Sequence, residues 1–147
     1  MANEPLNQAD LEAFLADWAE GGGGPARSAL QMLLTRLDFL GETEIEIQAR
    51  PGISHSLRVR RQDQTGRPLF LLLDVIGATP AERWLSVCFY ADNIEDPQEL
   101  GDVVPGGLLG EDGCCFDVDG TDPELLEYVA RRVEEAHQAA GQADRAG

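Results

Sequence analysis

The chain has 147 residues, the size of one ordinary domain, and its 43% hydrophobic content is enough for a core. A formal net charge of −16 disfavours both phosphate backbones and anionic membrane surfaces, so neither nucleic acid nor a membrane is expected as a partner. All 11 basic residues are arginine, which excludes lysine Schiff-base or lysine-nucleophile chemistry.

No apolar run reaches the ~18 residues of a membrane-spanning helix. The first twenty residues are acidic and lack the charged-then-apolar pattern of a secretory signal, so a cytoplasmic location is expected. Cys88, Cys114 and Cys115 are odd in number and two are adjacent, which does not make a disulfide framework; reduced thiols are expected. The charges are uneven. Arg50, Arg58, Arg60, Arg61 and Arg67 fall within eighteen residues beside one acid, Asp63, whereas residues 84–130 hold no basic residue and twelve acids.

In chain order, residues 7–19 read as a helix with Asn7 as N-cap and Asp10 at the third helical position. Leu11, Phe14, Leu15 and Trp18 recur at helical spacing as one apolar stripe. Gly21, Gly22, Gly23 and Gly24 break that helix and read as a linker or corner; the Gly-Lys-Ser/Thr of a phosphate-binding loop is missing. Pro25 suits a first helical position, and a second helix runs to Leu40 with Gly41 as its stop. Leu30, Leu33, Leu34 and Leu37 form its buried face, with Met32 and Phe39 read as flanking core residues.

From Thr43 the period changes to two. Ile45, Ile47 and Ala49 alternate with Glu44, Glu46 and Gln48, a half-buried strand. After a Pro51-Gly52 turn, Ile53, His55, Leu57 and Val59 share one face of a second strand, and Ser54, Ser56, Arg58 and Arg60 share the other. Two apolar runs, 69–76 and 84–91, read as further strands. Leu69, Leu71, Leu73 and Val75 oppose Phe70, Leu72, Asp74 and Ile76; Leu85, Val87, Phe89 and Ala91 oppose Trp84, Ser86, Cys88 and Tyr90. With so little polar surface, both sides of the sheet are expected to be covered, by helices on one side and by a second subunit on whatever is left. Asp74 reads as an acid salt-bridged to a neighbouring arginine or exposed at a strand end, with a catalytic acid as the alternative.

Thr79, Asp96 and Thr121 each precede a proline and a glutamate at capping spacing. The first two are expected to start single helical turns, and Thr121 to cap, with Glu124, a helix from Asp122 to about Ala140. Leu125, Leu126, Val129, Val133 and Ala136 form its stripe, and residues 141–147 are expected to fray. His137 is assigned to the helix-end dipole. The glycine-rich, acidic stretch 101–113 reads as a loop, and residues 114–118 as a final strand.

Asp117, Asp119 and Asp122 resemble part of a calcium loop, although the third alternating oxygen ligand and the closing glutamate are absent. Zinc at Cys88, Cys114, Cys115 and His55 lacks any Cys-x-x-Cys spacing. A Cys88–His55 nucleophile pair has no support beyond composition, because His55 sits on an apolar strand face and reads as a core histidine. No Gly-x-Ser-x-Gly or dinucleotide fingerprint occurs. The motifs beginning Arg50-Pro-Gly-Ile-Ser, Trp84-Leu-Ser-Val-Cys-Phe-Tyr and Val104-Pro-Gly-Gly-Leu-Leu-Gly resemble an uncharacterised bacterial family of small single-domain proteins, over most of residues 43–136. That resemblance implies no known activity. The element order is also similar to that of small YjbR-like proteins, a likeness of topology that carries no site.

The sequence thus predicts one α+β domain spanning residues 1–147: an N-terminal helix and glycine linker (1–24), a core (25–140) and a frayed tail (141–147). Two N-terminal helices, an antiparallel meandering sheet of about five strands and one long C-terminal helix make it up. It predicts a non-enzymatic interaction module, without a cofactor, that binds itself as a homodimer or binds another protein. Candidate binding residues are Arg50, Arg58, Arg60, Trp84, Tyr90, Gly106, Gly107, Glu111 and Asp112. The alternative is a divalent-metal protein or metal-dependent enzyme using Asp117, Asp119 and Asp122.

Overall fold

A computed structural model describes residues 8–50 and 54–146; Asn7 and the Pro51-Gly52 turn lie outside them. The described chain runs α1 (Gln8–Glu20), α2 (Pro25–Leu40), β1 (Thr43–Arg50), β2 (Ser54–Arg61), β3 (Leu71–Ile76), β4 (Trp84–Tyr90), β5 (Asp102–Leu108), β6 (Glu111–Val118) and α3 (Pro123–Ala146). The six strands form one sheet in the order β1-β2-β3-β4-β6-β5, every neighbour antiparallel. The protein is therefore α+β, with helices before and after the sheet as its alternating and helical periods imply.

Alternation sorts the strands onto two faces. Ile47, Leu57, Val59, Leu71, Leu73, Val75, Leu85, Val87, Phe89, Cys114, Phe116 and Val118 share one cluster with the stripes of all three helices. Trp18, Leu30, Leu33, Leu37, Val129 and Val133 are each 0% exposed in it. Full burial of one such side chain contributes about 1.5–3 kcal/mol, so this single layer of helix against sheet carries the stability of the fold. The Trp18 indole N–H donates to the Pro80 carbonyl at 3.1 Å, so the buried ring keeps its polar atom satisfied.

Glycine is required where α2 meets the approach to α3. Gly120 has φ +89°, and a Cβ there would lie 2.1 Å from the Pro25 carbonyl oxygen. The two helix starts are thereby pressed together at a point where no side chain fits.

Several expectations need correction. The stretch read as a loop is a strand, β5, so the sheet has six strands instead of about five. Its pairing with β6 shifts register between Val104 and Leu108. As an outermost strand it tolerates Pro105 and its glycines, because only one side of its backbone must pair. Phe39, read as core, is 84% exposed: two residues past Leu37, it lies about 200° around the helix from it. Asp122, not Thr121, caps α3: its Oδ1 accepts from the Glu124 and Leu125 amides at 3.1 and 3.2 Å. That helix continues to Ala146, beyond the expected end. His137 therefore lies inside the helix; it is buried, with Nε2 2.9 Å from the Gly41 carbonyl, and has no helix-end role. Thr79 precedes a 3-10 turn (Pro80–Glu82) with no side-chain cap. Asp96 starts no helix: at φ +45° its carboxylate accepts from the amides of Leu100 (3.0 Å) and Gly101 (3.1 Å) and from the Tyr128 hydroxyl.

Candidate functional site

Helices cover one face of the sheet, and no described helix covers the other. Registers across the strands lay that second face out in rows. One row runs Gln48, Ser56, Asp74, Ser86, Asp117 across β1, β2, β3, β4 and β6. The next runs Glu46, Arg58, Leu72, Cys88, Cys115, Asp102, reaching β5. Ser54, Ile76 and Trp84 form a third, continuing Arg50. Leu72, Ile76 and Trp84 stay half-buried, while β1 contributes the exposed Arg50 and the half-buried Glu44 and Glu46.

Asp74 sits in the polar row. The Ser56 hydroxyl donates to it, and Ser86 lies opposite it on the other side. Among the described residues no arginine pairs with Asp74, and it is in mid-strand, so the expected salt bridge or strand-end exposure gives way to a hydroxyl partner. Its hydrogen-bond partner among the described residues is the Ser56 hydroxyl, and neither a histidine nor a free thiol bonds to it there.

Cys88 and Cys115 face one another in the adjacent row and are joined as a disulfide, which corrects the expectation of three reduced thiols. Cys114 points into the core, free and buried. Burial, with Asp96 and Asp102 nearby, pushes its thiol up to about 11, so it is not a reactive thiolate. Cysteine count alone hid the pairing, because only the β4–β6 register sets these two residues opposite each other.

Arg58, Arg60, Trp84 and Tyr90 lie on the same side of the sheet as Arg50, the side away from the helices. Two of them are committed within the chain. Arg60 bonds Glu44 at 3.0 Å and the Gln64 carbonyl at 2.6 Å. Tyr90 is 1% exposed, packed with Leu69, Leu72 and Leu108 beneath the Arg67 guanidinium, whose carbon lies 4.0 Å from the ring centroid. Arg67 holds Asp92 at 2.9 Å and Glu111 at 2.6 Å. The Asp92 carboxyl is lowered by its hydrogen bond from Arg67. Burial, then the Glu111 charge, raises the Tyr90 hydroxyl. Sequence reading placed Arg67 in the basic patch without this role.

The remaining candidates lie at the outer hairpin and serve its shape. Asp112 accepts from the Gly106 amide at 2.9 Å. Gly106 has φ +66°, and a Cβ on Gly107 would lie 2.2 Å from the Val104 side chain, so the glycines are spent on the hairpin itself. The proposed metal acids are dispersed. Asp119 accepts from the Thr121 amide (2.9 Å) and hydroxyl (2.7 Å), bonds that lower its carboxyl, while Asp122 caps α3 and Asp117 lies on the uncovered face. Among the described residues no group of three or more His, Cys, Asp or Glu side chains is placed to hold a metal ion. Nor is any described helix long and apolar enough to cross a membrane.

No protein-family model, no curated protein and no solved structure matches the chain. What the protein does has to be read from its own residues.

Proposed function

We propose that the protein is a non-enzymatic interaction module that associates with a second copy of itself, with the sheet as its contact element. One observation carries this. All three helices pack on the same face, and the opposite face keeps Leu72, Ile76 and Trp84 half-buried between charged flanks. Apolar surface held in a rigid, charge-flanked frame fits recognition of another folded surface better than it fits solvent. Other features fit this reading: Asp74 meets a hydroxyl, Cys114 is buried, and two acids of the alternative metal reading, Asp119 and Asp122, are taken up by a turn and a cap while Asp117 stands apart on the sheet.

Sedimentation velocity over a hundredfold concentration range tests it. The expected result is a reversible monomer–dimer equilibrium. A single monomeric species at every concentration would defeat the proposal.

A further inference from the structure

The two edges of the sheet are built differently. At one edge, β5 carries Pro105 and an irregular register, devices that stop a further strand from adding. At the other, β1 pairs with β2 over all eight residues without a shift and contains no proline. The Gln62 amide donates to the Glu42 carbonyl at 2.8 Å, in the same register as the β1–β2 ladder. By alternation Glu44, Glu46, Gln48 and Arg50 also bond inward to β2. The amides and carbonyls of Thr43, Ile45, Ile47 and Ala49 therefore point away from the sheet, and none of these four has a hydrogen-bond partner across that edge among the described residues.

Resting on the self-association reading, but through the edge of the sheet and not through the face that bears Leu72, Ile76 and Trp84, we infer that two copies join edge to edge through β1, antiparallel about a two-fold axis at Ile47, into one continuous sheet of twelve strands. The side chains choose this register. An axis at Ile45 would set Glu44 against Glu46, and one at Glu46 would set that residue against itself. An axis at Ile47 sets Glu44 opposite Arg50 of the second copy and Glu46 opposite Gln48, twice over by symmetry. An axis at Gln48 also pairs opposite charges, Glu46 with Arg50, but aligns fewer of the outward groups. On the helix side the Ile47 axis sets Ile47 against Ile47 and Ile45 against Ala49. Arg50 is exposed and has no ion-pair partner within the described chain. Beside β1 lies a cleft of about 260 Å³ lined by Leu11, Leu15, Leu34 and Ile45 together with the acids Glu12 and Asp38.

Four variants test the edge, with dimer dissociation constants measured by sedimentation and folding checked by circular dichroism and melting. Ala49→Pro deletes an outward N–H and leaves the β2 ladder intact; the two bonds lost per dimer should raise the dissociation constant about tenfold or more. Arg50→Glu sets acid against Glu44 and should weaken the dimer similarly; Glu44→Arg added to Arg50→Glu should restore part of the loss, judged against Glu44→Arg alone because that change also removes the Arg60–Glu44 pair. A dimer unchanged by both Ala49→Pro and Arg50→Glu overturns the edge contact while leaving self-association standing. Weakening by Arg50→Glu without rescue by Glu44→Arg overturns the register. If Ala49→Pro fails to fold, the charge-reversal pair still decides. A wild-type protein that never dimerises defeats the self-association reading itself.

Discussion

His55 shows how one side chain sets a pH response. It lies in β2, on the core face, and stacks on Phe14 with ring centroids 4.3 Å apart. Burial, and then the positive Arg83, lower it from 6.5. A histidine lowered in the folded state contributes stability that is fully present above its unfolded value and lost as pH falls through the folded one. Melting temperature should accordingly decline as pH drops from about 7 toward 5. A His55→Phe variant should remove most of that slope, because the ring stack survives and the titration does not. Asp92, Asp96 and Asp119 all lie below the usual 3.8. Their loss of stability comes at lower pH and is separable. For Asp96 burial pulls the other way, and hydrogen bonds from Tyr128, Gly101 and Leu100 outweigh it. Gly120 gives the sharpest single substitution. Gly120→Ala combines a backbone at φ +89° with a Cβ 2.1 Å from Pro25 and should destabilise by about 2–4 kcal/mol in denaturant melts.

Among the elements, β4 and β6 meet out of sequence order, and the Cys88–Cys115 bond crosses that joint between positions 27 apart in the chain. Closing a loop of that length stabilises by roughly 3–4 kcal/mol through the unfolded chain. Reductant should therefore lower the melting point, and the Cys88→Ser/Cys115→Ser double variant should melt with the reduced protein whether or not reductant is present. Melting points indifferent to reductant would show that the bond does not form. The elements also show where sequence legibility stopped. The faces of β1 to β4 could be read within the strands, because a half-apolar period of two leaves little choice of orientation. Leu69 and Phe70, expected to open β3, instead precede it with their sides exchanged, Phe70 in the helix-side core and Leu69 packed with Tyr90 and Leu108. The hidden strand was β5, where proline and glycine read as a loop until it is known to lie at an edge. Of the candidate surface, Arg50, Arg58, Arg60, Trp84 and Tyr90 could be named, since alternation puts each on the same side of its strand. That Tyr90 is capped by Arg67, and Cys88 tied to Cys115, depends on which strands neighbour one another, and residue spacing does not contain that.

The whole molecule carries a net charge of −16. Several of its arginines are paired with nearby acids: Arg36 with Glu127 and Glu134, Arg61 with Glu42 and Asp63, Arg67 with Asp92 and Glu111. The excess of acid remains as self-repulsion in the folded state, which salt screens over a Debye length of about 8–10 Å at moderate ionic strength. Raising sodium chloride from about 20 mM to about 500 mM should raise the melting temperature of the monomer. A fall would mean that the internal ion pairs outweigh the repulsion.

The Arg67 clamp joins three segments far apart in the chain, the stretch before β3, the turn after β4 and the start of β6. Beyond it β5 is exposed from Asp102 to Gly107 and touches the body chiefly through β6 and the buried Leu108. Such a strand is latched to the sheet more than packed into it. Amide protons of β5 should then exchange with solvent through a local opening far cheaper than unfolding, while those of β4 wait for the whole domain. Arg67→Met should widen that gap by speeding exchange in β5 and at the start of β6 alone, so that one side of the sheet lives on a shorter clock than the other.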